Sequence, residues 1–227
     1  MAVPRGVAGR RAGPRGEAVA FACAAALVVL AACSGSGYHY VKKSTDSDAS
    51  GTYFKVPDGW RIYNENEFVK SRHLSPTQSK DAKASGWAVA FDASANPTLK
   101  HYESVAPKEP FGIAEVRTLG RQERDEFSLA AMRNYFVPVD DLTQSGVDVS
   151  PLRLDEFTRD GGFHGQRFTF EFTVPSSNES VTVDQVAVVD PGTKEIHFLA
   201  ITCSAQCYDR EKGTINTVMD SWTVRGQ

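Results

Sequence analysis

Few residues in this chain have both the type and the spacing for chemistry. Cys203 and Cys207 flank Ser204-Ala205-Gln206. Two thiols so placed suit a redox couple, a pair of metal ligands or a local disulfide. A redox motif normally separates its cysteines by two residues, and here there are three. A metal site needs more ligands than this pair supplies. The histidines His39, His73, His101, His164 and His197 share no metal-ligand spacing. None has a catalytic partner within motif distance. His164 follows a glycine turn and is expected to be exposed, and His197 is expected as a satisfied core histidine. Asp140-Asp141 and Asp155-Glu156 are adjacent acids, which a strand turns to opposite faces, so they are expected as solvated charge. The chain has no nucleophile elbow and no phosphate loop. No catalytic, cofactor-binding or metal-ligating residue is expected.

One further thiol has a different context. Residues 1–17 carry Arg5, Arg10, Arg11 and Arg15 against the single acid Glu17, and residues 18–32 carry no charge. A basic segment, an apolar core and small residues before a cut are the parts of a secretory signal. The 15-residue run is shorter than the roughly 20 residues needed to span a bilayer as a helix. It ends in Leu30-Ala31-Ala32-Cys33, followed by Ser34-Gly35-Ser36-Gly37. That sequence resembles the lipobox of bacterial lipoproteins. The resemblance implies diacylglyceryl transfer to the Cys33 sulfur, cleavage before Cys33 and anchoring at the outer face of the cell membrane, with palmitate-like acyl chains. An ordinary signal peptide cut between Ala32 and Cys33 is the alternative. Two acyl chains give a lasting tether, since each buried methylene contributes about 0.8 kcal/mol and one chain is marginal. The route, general secretion or twin-arginine export, stays open.

Export bears on the cysteine pair. Outside the cytoplasm such thiols are usually oxidised, and no other thiol remains in the mature chain once Cys33 is lipidated. Cys203 and Cys207 are therefore expected as a structural disulfide. Removal of residues 1–32 leaves 195 residues with 21 basic and 27 acidic side chains, a net charge of −6. That balance argues against a nucleic-acid partner, which needs a basic patch. It also argues against electrostatic docking on anionic lipid. Residues 33–51 are mostly Ser, Gly, Asp, Lys and Thr, too polar to offset their ordering entropy, and are expected as a flexible tether, with Tyr38-His39-Tyr40 the exception that could touch the membrane interface or the domain. Residues 52–227 fit one domain.

Periodicity divides that domain. Residues 52–56 and 60–63 suit short strands about the Pro57-Asp58-Gly59 turn. Asn64 with Glu67 is a capping-box variant that opens a short helix through Arg72. Residues 86–93 suit a strand with Trp87, Val89 and Phe91 on one side, residues 96–110 a surface loop, and residues 111–119 a strand. Ser128 caps a helix carrying Leu129, Met132 and Phe136. Residues 152–158 lead through Asp160-Gly161-Gly162 into a hairpin. Its second strand puts Phe168, Phe170, Phe172 and Val174 on one side, with Arg167, Thr169, Glu171 and Thr173 opposite towards water. Residues 181–189 slip phase near Asp184-Gln185, which suggests a bulge. In Asp190-Pro191-Gly192-Thr193, Pro and Gly fill type II positions. Residues 195–203 are apolar on both faces, as in a central strand. Tyr208, Ile215, Val218, Met219 and Trp222 fall at helical spacing. The tryptophans and phenylalanines are expected in the core, Phe111 and Phe163 included, although those two could also line a cleft.

Antiparallel strands followed by a terminal helix give an α+β antiparallel sheet flanked by helices. The opening Phe54-Lys55-Val56-Pro57-Asp58-Gly59-Trp60 and the closing Ser221-Trp222-Thr223-Val224 resemble the PsbP-like fold. That fold is shared by photosystem extrinsic proteins, the Ran-binding Mog family and many actinobacterial lipoproteins. The resemblance implies an α/β/α sandwich. It implies no activity, because its members mostly bind partners. The expected function is a non-enzymatic binding or scaffold module of the cell envelope, with an unknown envelope protein, lipid or glycan as partner. The alternative is an envelope hydrolase whose triad comes from residues far apart in sequence.

Overall fold

Alternation of buried and half-buried residues fixes the first strands. In the computed structural model, which describes residues 37–44 and 51–225, β1 (Tyr38–Ser44) runs antiparallel to β2 (Gly51–Pro57). In β2 every second residue, Thr52, Phe54 and Val56, is buried. This corrects the expectation of a flexible tether over 33–51: residues 38–44 are strand. Val41 is buried in the core, and each residue of Tyr38–Ser44 has a partner in β2, a long-range gain that local composition does not register. Cys33, the signal segment 1–32 and residues 34–36 and 45–50 of the tether lie outside the described residues.

The chain continues through β3 (Arg61–Tyr63), α1 (Glu65–Ser71), α2 (Pro76–Ser85), β4 (Gly86–Asp92) and β5 (Phe111–Thr118). The capping box expected at Asn64 and Glu67 opens α1. Helix α2 uses the same device, Ser75 with Gln78 and Pro76 at the first helical position. It buries no residue, which is why no apolar period announced it. Then come α3 (Arg121–Glu126), α4 (Leu129–Arg133), α5 (Val139–Gln144), β6 (Val149–Arg159), β7 (Phe163–Thr173), β8 (Ser180–Val189), β9 (Glu195–Ser204), α6 (Ala205–Asp220) and β10 (Thr223–Arg225). Ser128 caps α4 as expected, but the helix stops at Arg133 and Phe136 meets Phe198 from the following loop.

Seven strands form one antiparallel sheet in the order β3-β4-β5-β9-β8-β7-β6, with β9 at its centre. A second sheet has the order β1-β2-β10. One face of the large sheet is covered by α6 and the small sheet. There Ile215, Val218, Met219, Trp222 and Phe54 pack with Val186, Val188, Leu199 and Ile201. On the opposite face Phe68 of α1 and Met132 of α4 cover Ala90, Ile113, Ala187 and Phe198. Val139 of α5 covers Phe168, Phe170 and Phe172. The molecule is thus an α+β sandwich, an antiparallel sheet with helices on both faces. Phe111 and Phe163 are both buried in its core.

Three local expectations are corrected. Arg167 and Thr169 are buried, not turned to water, because α6 lies over that side of β7. The register of β8 is unbroken against both neighbours, so no bulge interrupts it at Asp184-Gln185. The apparent slip arises because both residues are polar and buried with partners. Asp184 binds Arg167, and the Gln185 amide donates to the Arg133 carbonyl at 2.7 Å. The register shift falls in β6, between Pro151 and Arg153. Finally, a type II turn needs a left-handed Gly192. Instead Thr193 has φ of 50°, and the Asp190 carboxylate accepts from the backbone N–H of Gly192 and Glu195.

Candidate functional site

The cysteine pair lies where β9 turns into α6. Cys203 and Cys207 are fully buried and disulfide-bonded, with 5.9 Å between their Cα atoms. The Ser204 hydroxyl between them caps α6 by accepting from the Cys207 N–H. The bond is a staple between strand and helix, with no solvent access for redox exchange. Among the described residues no group of three His, Cys, Asp or Glu side chains could hold a metal ion.

Three histidines stand beside acids, His39 at Asp58, His101 at Asp92 and His197 at Glu195, and the last two arrangements bear on a hidden hydrolase. His197 on β9 has its Nδ1 2.7 Å from the Thr52 hydroxyl, and its Nε2 is 4.0 Å from Glu195. A hydroxyl, an imidazole and a carboxylate are therefore in line. Thr52 is only 1% exposed and His197 6%, so no substrate reaches either. Burial, with the Lys43 ammonium nearby, pushes His197 down to about 4 and keeps the ring neutral. The three residues join the small sheet to the large one. His101 has its Nδ1 2.8 Å from Asp92 Oδ2. Asp92 also accepts the backbone N–H groups of Ser94 and Thr98, so it organises the loop after β4. No hydroxyl bonds His101 among the described hydrogen bonds.

A buried polar cluster that periodicity did not reveal lies between β7, β8 and α6. Arg167 donates from Nε to Asp184 Oδ1 at 2.9 Å and from Nη2 to Oδ2 at 2.6 Å. It also bonds Asp220 and Asn216 of α6. The Tyr208 hydroxyl donates to Asp184 at 2.8 Å. Burial works to pull Arg167 down, but the bonds and charge of Asp184 outweigh it and hold the guanidinium above its usual range. Burial and the same carboxylate raise Tyr208. The only signal in the sequence was the polar residues themselves, placed inside strands.

A groove of about 410 Å³ opens beside β1. Its walls are His39, Tyr40, Val41 and Lys42 of β1 on one side, with β3, β4 and the start of α1 on the other. Ile62, Trp87, Val41 and Val89 supply apolar surface, and Asn64, Glu65, Asn66, His39 and Lys42 supply polar groups. Asn64 uses its oxygen to cap α1, and Asn66 uses its oxygen to accept from Lys83 Nζ at 2.6 Å. Their amide nitrogens remain as donors. His39 is fixed by its Nδ1 contact with Asp58 at 3.2 Å. The arrangement presents an aromatic and aliphatic floor with convergent polar groups, the composition of a ligand site. It holds no serine, threonine or cysteine as nucleophile. Most of its residues were read from sequence as helix cap, strand or tether, because only the fold brings β1 beside β4.

No known sequence family matches the chain, and no curated protein is similar to it in sequence. Among solved structures, the chain is similar to the cyanobacterial PsbP protein CyanoP from Synechocystis sp. PCC 6803. Identity is 14%, the TM-score is 0.48, and the match covers 86% of this chain and 98% of that one. It is similar to LpqN, involved in cell envelope biogenesis of Mycobacterium tuberculosis, at 16% identity and a TM-score of 0.44, covering 83% and 92%. It is also similar to the Ran-binding protein Mog1p of Saccharomyces cerevisiae at 11% identity and a TM-score of 0.41, covering 82% and 96%.

Proposed function

We propose that this chain is an exported module, held at the outer face of the cell membrane by lipid on Cys33. In this reading it binds an envelope component in the groove beside β1 and performs no chemistry on it. The observation that carries the reading is the groove itself, an apolar floor of Ile62, Trp87 and Val89 rimmed by amides, an acid and a lysine. Its position supports the link to the membrane. The groove wall begins at His39, six residues after Cys33 in sequence. A chain that short spans at most about 20 Å, so the groove works close to the lipid surface.

A hydrolase has less support. The Thr52 hydroxyl and the His197 imidazole are closed to solvent, leaving only the Glu195 carboxylate partly exposed, and the groove offers no nucleophile. No helix of the described residues is long and apolar enough to cross a membrane.

The test is affinity capture of the full-length protein from its own envelope, beside a Cys33→Ser form. The proposal expects the native protein in the membrane fraction, with two acyl chains by intact mass and one enriched envelope component. The Cys33→Ser form is expected to leave the membrane or accumulate as precursor. An unmodified Cys33 thiol in membrane-extracted protein contradicts the anchor, and turnover of the captured component contradicts the binding role.

A further inference from the structure

Strand β6 is the edge of the large sheet, paired with β7 on one side and with no described strand on the other. It is eleven residues long, and only Val149, Phe157 and Arg159 are even half-buried. Leu152 is 56% exposed and Leu154 49%. A long edge strand with exposed leucines is a template for pairing with another chain. Exported proteins commonly blunt such edges with charge, and β6 carries Arg153, Asp155, Glu156 and Arg159. Here the charges do something more specific than repel.

Consider a second copy added antiparallel through a two-fold axis normal to the sheet. Opposed side chains must share a face, so the axis passes through a single residue. Axes at Arg153, Asp155 or Glu156 set like charges directly opposite, which is destabilising. An axis at Leu152 falls on the extra residue of the bulge between Pro151 and Arg153. An axis at Phe157 overlaps only 155–159, because β6 ends at Arg159. It also calls on a ring that already lies against Gly165 of β7. The axis at Leu154 is the midpoint of Val149–Arg159 and keeps Arg153, Leu154 and Asp155 in a regular ladder, with the extra residue at Leu152 ending same-face pairing on each side. It places Leu154 opposite its own copy and Arg153 opposite the partner's Asp155, twice. Within one chain Arg153 already donates to Asp155. Two intrachain pairs then close into a ring of four alternating charges. The bulges flank the regular ladder at each end.

We infer that β6 is a self-association surface, on which a second copy of this chain pairs antiparallel about Leu154 and joins two seven-stranded sheets into one. The partner is a second copy because the charge pattern of β6 is complementary to itself in this register and self-repulsive in its neighbours. Association is favoured for a chain confined to a membrane surface, where copies meet at high effective concentration. The inference does not depend on the groove or its ligand.

The test is cross-linking and charge exchange in the full-length protein. Mild oxidation of membranes carrying Leu154→Cys should give a disulfide-linked dimer, and Thr158→Cys should not, since an axis at Leu154 sets residue 158 and its copy at opposite ends of the paired strands. In sedimentation of the detergent-extracted protein, Arg153→Asp and Asp155→Arg should each weaken dimerisation by about tenfold or more, as two opposed pairs are lost and repulsion replaces them. The double exchange Arg153→Asp with Asp155→Arg restores both pairs and should restore the dimer. Circular dichroism melting of each variant confirms that the fold survives. A wild-type protein that sediments as a monomer, a Leu154→Cys form that does not cross-link, or a folded double exchange that stays monomeric would each overturn the inference.

Discussion

Arg167 and Asp184 meet beneath α6 among buried polar as well as apolar strand residues, and each is nearly or fully excluded from water. The pair is satisfied on all sides by Tyr208, Asn216 and Asp220. Replacing Arg167 with Leu leaves an uncompensated buried carboxylate, which costs about 3–5 kcal/mol. The double change Arg167→Leu with Asp184→Leu removes both charges and should recover most of that loss in denaturant unfolding. His197 gives a second prediction, with its sign set by burial. Its folded pKa of about 4 lies below the ordinary value of about 6.5, so folding favours the neutral ring. Its contribution is complete above pH 6.5 and is lost as pH falls from there through 4, by roughly 3 kcal/mol. Thr52, Lys43, Glu195 and Asp190 are the polar groups around it. His197→Asn retains an acceptor near Nδ1 and cannot take up a proton, so its stability should fall less steeply than the wild type between pH 6.5 and 4.5. A parallel fall in both proteins would locate the acid sensitivity elsewhere.

At the scale of elements, the disulfide and the helix caps carry local predictions. Cys203 and Cys207 close a five-residue ring, worth about 2 kcal/mol in the chain-entropy account. Thiol labelling of unreduced native protein should leave both unmodified, and a Cys203→Ser, Cys207→Ser protein should unfold about 2 kcal/mol more easily in denaturant. What was legible in sequence follows physical lines. Signals written in neighbouring residues were readable: the Asn64–Glu67 capping box, the Asp160-Gly161-Gly162 turn, the two-faced apolar run of β9 and the stripe of α6. Signals that depend on distant coverage were not. β1 looked like tether because its ordering comes from β2. The polar side of β7 looked solvated because nothing local says that α6 covers it. Asp184 and Gln185 looked like a bulge because their partners are 17 and 52 residues away. Helix α2 was missed because it buries nothing. The groove was invisible for the same reason as β1, since its two walls meet only in the fold.

The described residues form an antiparallel sheet covered on both faces, with a stapled C-terminal helix, a groove at the β1 side and an edge at β6 that no described strand pairs. Those two surfaces belong to different strands at opposite ends of the sheet order, so a groove ligand and a second copy need not compete. With residues 1–32 removed the net charge would be −6, which disfavours nucleic acid and anionic lipid as partners, and in the proposed reading the acyl chains on Cys33 hold the chain at the membrane. The central claim is that the groove beside β1 is where an envelope component binds. Site-specific photo-cross-linking in the native envelope tests it most directly, with the probe placed in turn at Lys42, at Asn66 and, outside the groove, at Glu179 in the β7–β8 turn. The account predicts one discrete adduct from Lys42 and from Asn66, lost when Cys33 is replaced by Ser, and none from Glu179. Adducts from Glu179 alone, or equal labelling from all three positions, would contradict it.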